Sequence, residues 1–372
     1  MGAYNAMNRI YNFSQGPGVL PDSVLEKINN DFFDYNGTGM PILEIGYGSD
    51  EYEELVLSAK DALRKLLNIP SNYKILFMQS GVSTQYSAIP LNLLSEHKCA
   101  DYVVSGHLSK NASIEAKKYG DIAIAASSAG ASPAYSTVPD MKRSDFRPDA
   151  DYVHICFNDP VYGTKFHYIP DTGNIPLVAD MSTFLLSEPI DVSKFAMIYA
   201  NGQSNFGAAS LTVVILRDDL SGVERKDTPS HINYKKIADP KANVNSPSAL
   251  SIYIAKLVFE WVNSIGGLEE MKRRNERKAS LIYDYLDSQS YYTSPVDKKC
   301  RSMMNVVFIT GDCAMDKRFI EGADKIGLKN LLGDDSVGGM RASIYNAMSY
   351  DGVERLVEYM KSFAEENPKL EA

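Results

Sequence analysis

The chain has 372 residues, 44% hydrophobic and 23% charged, with 47 acidic against 38 basic residues and a formal net charge of -9. That length suggests two or three folding units and a large buried core in an ordinary globular protein. The acidic balance argues against broad contact with nucleic acid or an anionic membrane surface, while leaving room for a local basic pocket. No apolar run approaches the roughly 18 residues that suggest a membrane helix, and the opening MGAYNAMNRIYNF has no apolar signal core. The start is Met-Gly, but Ala6 stands where a myristoylation signal carries Ser or Thr. Cys99, Cys156, Cys300 and Cys313 form no CxxC pair, and Cys156 sits in the apolar run YVHICF. They read as reduced, mostly packing residues of a cytosolic protein. The five histidines show no metal-ligand spacing.

In chain order, helical periodicity predicts helices at 21–33, 51–67, 84–94 and 110–118, with Asp22 and Asp50 as starting residues. Short apolar runs predict strands at 74–78, 101–104, 122–125, 152–156, 177–179, 197–200 and 211–216. This alternation predicts an α/β fold with a mainly parallel, covered sheet. The polar stretch 223–244 reads as a long surface connection. A helix follows at 248–265, ended by Gly266-Gly267, then a second at 268–287. A strand at 301–309, a helix at 316–326, a strand at 339–344 and a closing helix at 351–365 read as a smaller α/β domain. There is no internal repeat and no low-complexity segment.

Motifs go further than periodicity. NFSQGPGVLP (12–21), LLNIPSNYKILFMQSGVSTQY (66–86), IPDTGNIPLVADMS (169–182), PIDVSKFAMIYANGQSNFG (189–207) and SVGGMRASIYNAM (336–348) occur in this order. Together they resemble the phosphoserine aminotransferases, whose N-terminal motif is NFSAGPAxLP. The resemblance implies a fold type I homodimer of the class V aminotransferases, dependent on pyridoxal phosphate, with active sites at the subunit interface. It implies a large cofactor-binding domain at 17–265 with a seven-stranded sheet, and a small domain made of 1–16 with 266–372.

The matched residues carry suitable chemistry. Ser80-Gly81-Val82-Ser83 lies between a predicted strand and a helix, where backbone N–H groups make a phosphate cradle. Alone, such a turn is usually just a turn. The family pattern assigns it the cofactor phosphate, with Gln203, Asn245 and Ser246 as further contacts, the last two reaching across the dimer. Ser246 replaces the family threonine. Asp180 ends the apolar run PLVAD. It could be a capping or turn residue, but the family pairs this carboxylate with the protonated pyridine nitrogen. Arg341, in GGMRAS, matches the family arginine that grips the substrate α-carboxylate in a fork geometry. The alternative is a structural salt bridge.

The pattern breaks at several positions. The family motif GAQKN reads Gly202-Gln203-Ser204-Asn205 after Asn201 here, so Ser204 occupies the place of the cofactor lysine. A hydroxyl cannot hold the cofactor covalently and is a poor base at neutral pH. The family tryptophan that stacks on the ring aligns with Leu108, and the threonine of NET with Pro160, which offers neither hydroxyl nor N–H. The His-Arg pairs that receive the substrate phosphate align with Tyr47-Gly48 and with Asp334-Asp335.

These departures predict loss of ordinary phosphoserine transamination. They favour a repurposed enzyme using the old pocket, with non-covalent pyridoxal or pyridoxamine phosphate or another phosphorylated ligand. Tyr47, Tyr162, His107 and Ser204 are its acid–base or nucleophilic candidates, the first three more suited to surface or packing roles. The alternatives are a non-catalytic pseudoenzyme that binds a metabolite or partner, and a phosphoserine transaminase whose lysine has been replaced by mutation.

Overall fold

The computed structural model describes residues 9–239, 241–242 and 244–369. The Met-Gly start and residues 1–8 of the segment assigned to the small domain lie outside them. The strands are β1 (Tyr11–Asn12), β2 (Tyr73–Gln79), β3 (Cys99–Val104), β4 (Asp121–Ser127), β5 (Tyr152–Cys156), β6 (Asn158–Asp159), β7 (Thr164–Lys165), β8 (Leu177–Asp180), β9 (Met197–Asn201), β10 (Leu211–Arg217), β11 (Asn305–Phe308), β12 (Leu328–Lys329) and β13 (Met340–Ser343). The helices are α1 (Asp22–Asp31), α2 (Asp50–Leu67), α3 (Val82–Leu93), α4 (His107–Ala116), α5 (Tyr234–Ala238), α6 (Ala249–Ser264), α7 (Gly267–Ser288), α8 (Cys313–Lys325) and α9 (Tyr350–Glu366).

The predicted strands of the first 220 residues form one seven-stranded sheet in the order β2-β10-β9-β8-β5-β3-β4. It is the seven-stranded, mainly parallel α/β sheet that the resemblance implies. The run β9-β8-β5-β3-β4 is parallel, and β10 is antiparallel to both its neighbours. Both faces are covered, so the strands read as continuous apolar runs such as LTVVILR. Since β10 reverses direction, β2 runs parallel to β9. The C-terminal ends of β2, β3, β5, β8 and β9 therefore open on one edge, where ligands of open α/β sheets bind.

Local chemistry fixes the helices around this edge. Ser49 caps α2 by accepting from the Tyr52 N–H at 3.2 Å, acidic residues fill its first turn, and Asn68 ends it in a left-handed conformation. Ser248 and Ser349 cap α6 and α9 in the same way. Beyond the main sheet, β1 pairs with β12 and β11 with β13, and a separate core joins Phe13 to Phe308, Phe319, Met340 and Phe363.

The stretch 223–244 departs from the expected surface connection. It contains a 3-10 turn at Ser230–Ile232 and α5, and it buries Ile232 and Tyr234. The Tyr234 hydroxyl donates to Gln85 Oε1 at 2.7 Å, and Asn92 Nδ2 donates to the Ile232 carbonyl at 2.8 Å, so this stretch packs onto α3. Its polar composition conceals two anchors. All four cysteines are unpaired, with Cys313 exposed and the others buried. Among the described residues no helix is long and apolar enough to cross a membrane.

Candidate functional site

Ser80 to Ser83 occupy the junction of β2 and α3. The Ser80 carbonyl accepts from Thr212 Oγ1 at 2.8 Å and Asn201 Nδ2 at 3.1 Å, which pins the turn to the sheet edge. The first N–H groups of α3 have no acceptor within the helix. A Cβ at Gly81 would meet nothing within 4 Å, so space is open above this turn. The Ser80 hydroxyl is buried without a hydrogen-bond partner among the described residues.

Asp180 sits at the end of β8 and is 1% exposed. Its Oδ1 accepts from the Ser182 N–H at 2.9 Å and the Ser182 hydroxyl at 2.6 Å. Its Oδ2 has no partner among the described residues, and neither has the buried Tyr86 hydroxyl of α3. Burial pushes the Asp180 carboxyl up to about 6, with Ser182 opposing the rise. A buried carboxylate oxygen without a donor is costly.

The hairpin between β9 and β10 carries Gln203 and Ser204. Asn201 Nδ2 locks it by donating to the Ala209 carbonyl at 2.8 Å and the Leu211 carbonyl at 3.1 Å. The N-terminal segment crosses over the hairpin. The Gly18 N–H donates to the Gln203 carbonyl at 2.7 Å, and a Cβ at Gly16 would stand 2.7 Å from Gln203 Cδ. A Cβ at Gly18 would stand 2.8 Å from the Ser204 carbonyl oxygen, so close approach requires that glycine, whereas at Gly16 the Gln203 side chain could move aside. Ser204 is buried, and the Tyr345 hydroxyl is the polar group that its Oγ faces. Beside it Tyr345 donates from its hydroxyl to the Gln15 carbonyl at 2.6 Å.

Leu108 and Pro160 are joined by a residue that sequence reasoning missed. Asp159, 1% exposed, accepts the Leu108 N–H on Oδ2 at 3.1 Å. Its Oδ1 accepts from the N–H groups of Val161 at 2.9 Å and Tyr162 at 3.1 Å. Gly106 allows this contact, since a Cβ there would collide with the Asp159 carboxylate. Pro160 is buried in the β6–β7 turn, and Leu108 is half-buried at the start of α4. His107 bonds to Asn111 at 2.8 Å and Tyr162 packs on Tyr135.

Arg341, on β13, is 9% exposed, and its Nε has no partner among the described residues. Burial lowers its pKa, while Tyr345, Asp334 and Asp159 act in the opposite direction. No carboxylate is within salt-bridge range of it among the described residues, so the alternative role as a structural salt bridge is not what the structure contains. Asp334 is turned toward its own loop, accepting from the Ser336 N–H at 3.0 Å and hydroxyl at 2.5 Å. Asp335 is exposed.

Asn245, in a left-handed conformation, accepts the Gln79 N–H of its own chain on Oδ1 at 3.1 Å and donates to the His231 carbonyl at 2.7 Å. It therefore stands next to Ser80 within one chain. Tyr47, Gly48 and Ser246 line a cavity of about 390 Å³ with Tyr52, Lys60 and Pro247. Tyr47-Gly48 are thus grouped with Ser246 rather than with Arg341.

The residues present fit a phosphorylated pyridine. A bare buried carboxylate oxygen suits a protonated ring nitrogen, and open N–H groups at a helix start suit a phosphate. A buried guanidinium with an unused donor suits a carboxylate.

The family model Aminotransferase class-V matches residues 10–356. The phosphoserine aminotransferase of Pseudomonas paraeruginosa is 46% identical over 96% of this chain and 99% of its own length. That of Bacillus cereus is 44% identical over 97% of this chain and 100% of its own. The solved phosphoserine aminotransferase of Bacillus circulans subsp. alkalophilus superposes with a TM-score of 0.92 at 40% identity, covering 96% of this chain and 99% of that one. The pyridoxal phosphate-bound enzyme of Trichomonas vaginalis superposes at 0.88 with 34% identity, covering 95% and 100%. This whole-length likeness overturns the expectation of a divergent form that has lost phosphoserine transamination, and it conflicts with the pseudoenzyme alternative. It points to an ordinary phosphoserine aminotransferase, with departures at Ser204, Leu108, Pro160, Tyr47-Gly48 and Asp334-Asp335.

Proposed function

The chain belongs to the phosphoserine aminotransferase family of class V aminotransferases, and from that premise we propose that it transfers the amino group of phosphoserine to a 2-oxo acid, with pyridoxal phosphate bound non-covalently in this pocket. The observation that carries the reading is the bare Oδ2 of Asp180 at the sheet edge that also holds the Ser80–Ser83 turn. The turn's N–H groups and hydroxyls, with Gln203, would hold the phosphate. Asp180 would keep the ring nitrogen protonated, and a protonated pyridine supplies the electron sink that amino transfer needs.

The chain's own contribution is binding, orientation and proton handling. Arg341, having no internal carboxylate to satisfy it, grips the substrate α-carboxylate in a fork. Asp159 fixes the starts of α4 and the β6–β7 turn, which wall the pocket. Ser204 Oγ is the buried hydroxyl where relatives' pattern has an amine, and it can donate or accept a hydrogen bond there without taking up a proton. The N-terminal segment over Gln203 excludes water from that side.

The active form in this reading is a homodimer with shared sites, in the cytosol. Phe33, Leu43, Tyr47 and Leu57 are large apolar residues 75%, 59%, 60% and 63% exposed, and the last two border the cavity that Ser246 lines. A second copy would cover them. Four unpaired cysteines suit a reducing compartment. A stopped-flow record of the pyridoxal phosphate-loaded protein mixed with phosphoserine tests the function. Ring absorbance moving from the aldehyde to the amine form supports it, and an unchanged spectrum at saturating phosphoserine refutes it.

A further inference from the structure

Behind Asp180 lies a line of buried polar side chains on one face of the sheet. Asp180 is opposite Tyr199 in the β8–β9 register, and His154 is opposite Val178, two residues before Asp180 on the same face. The His154 Nε2 and the Tyr199 hydroxyl are 2.9 Å apart. The His154 ring stacks on Tyr102 with centroids 4.6 Å apart, and the Tyr102 and Tyr152 hydroxyls meet at 2.8 Å. Asp180, His154, Tyr199, Tyr102 and Tyr152 are each 1% exposed or less. An apolar set of side chains would pack this face at lower cost, so the polar line calls for a reason.

The direction of the hydrogen bonds follows from what is left over. His154 Nδ1 has no partner among the described residues, and burial holds the imidazole neutral, its pKa lowered to about 3. With its one proton on Nδ1, a buried N–H would be stranded. With the proton on Nε2, His154 donates to the Tyr199 oxygen and only a bare lone pair is left, the less costly arrangement. The Tyr199 hydroxyl proton is then free to point toward Asp180, its partner in the strand register, and the phenol is one of the groups that hold the Asp180 carboxyl down against burial, while Asp180 Oδ2 itself has no hydrogen-bond partner among the described residues.

We propose that Tyr199 and His154 are positioning residues: a relay that aims and polarises the Asp180 carboxylate toward a protonated ring nitrogen. The inference rests on the cofactor reading above and concerns how the chain selects a ring that carries nitrogen. Without the relay only the Ser182 N–H and hydroxyl are left as donors that stabilise the ionised carboxylate.

The test compares two ligands by titration of the full chain. One is pyridoxal phosphate, and the other is its deaza analogue, in which the ring nitrogen is a carbon. Parent protein should prefer the nitrogen-bearing ring. Tyr199→Phe and His154→Leu should each reduce that preference by about tenfold, the size expected for losing a hydrogen bond to a charged group. His154→Gln, which keeps a donor, should preserve it. Thermal melts of the unliganded variants confirm folding, and the His154 pair carries the test if Tyr199→Phe fails to fold. Equal weakening of both ligands, or no change in preference, overturns the relay while leaving the cofactor reading intact. Absence of pyridoxal phosphate binding to the parent overturns that reading and the relay with it.

Discussion

Gly18 lies against the Ser204 carbonyl: a Cβ at position 18 would stand 2.8 Å from that oxygen and 2.8 Å from Tyr345 Cδ2. The N-terminal segment can lie over the β9–β10 hairpin because nothing projects from position 18. Its N–H then closes the contact on the Gln203 carbonyl. Sequence motif, local geometry and pocket wall meet at this pair.

Gly18→Ala should therefore disturb the hairpin rather than the sheet. Overpacking at such a contact costs about 1–3 kcal/mol. Urea denaturation should show a lower midpoint with an unchanged slope, and pyridoxal phosphate affinity should fall because Gln203 and Ser204 move. Unchanged stability and affinity would mean that the segment does not bear on the site.

Asp180 and His154 make opposite contributions to the pH dependence of the unliganded protein. The Asp180 carboxyl, raised from 3.8 to about 6, keeps its proton in the folded chain after the unfolded chain has released it. Its contribution is complete below 3.8 and is lost as pH rises through about 6. His154, lowered from 6.5 to about 3, contributes above 6.5 and loses that contribution as pH falls through about 3. Asp180→Asn should stabilise the unliganded protein near neutral pH by about 2–3 kcal/mol, the equivalent of the Asp180 shift. It should leave a profile that only declines toward acid. Denaturation curves from about pH 2.5 to 8 check both the sign and the window.

Ser204→Lys places an amine where the family motif has one. General acid–base catalysis contributes about 10²–10⁴-fold, and the rate of the phosphoserine half-reaction should rise within that range. Borohydride reduction should attach the cofactor to position 204 in this variant and not in the parent. No rate gain would show that proton transfer at this position does not limit the reaction.

Arg341→Lys retains the charge and removes the fork. Loss of a hydrogen bond to a charged group costs about 1.5–3 kcal/mol, so KM for phosphoserine should rise by about 10- to 100-fold with a smaller change in kcat. An unaltered KM measured by initial rates would remove Arg341 from the substrate site.

Much of the fold was legible because the strands are long apolar runs punctuated by turns. LTVVILR and YVHIC are strands at the predicted places. The two-residue strands β1, β6, β7 and β12 carry no period that a sequence can display. Ile232 and Tyr234 were hidden by the charged residues around them, since burial there depends on α3 arriving from 140 residues away. Within the site, Asp180, Arg341 and Ser204 were legible through motif matches. Asp159 stood in the quoted turn NDPVYG, where Pro160 took the attention, and its role appears only when α4 places the Leu108 N–H beside it. Tyr199 and His154 lie in apolar runs and read as packing. The expectation of lost activity weighed a few positions in one pocket above a likeness that covers 96% of the chain.

Amino transfer over many turnovers is the decisive measurement of the proposed activity. The parent chain and Asp180→Ala would be incubated with pyridoxal phosphate, phosphoserine and 2-oxoglutarate, and glutamate would be measured against a protein-free, cofactor-only control. Glutamate should stand well above the control for the parent, with most of the excess lost in Asp180→Ala. Glutamate no higher than the control for the cofactor-saturated parent would contradict the proposed activity.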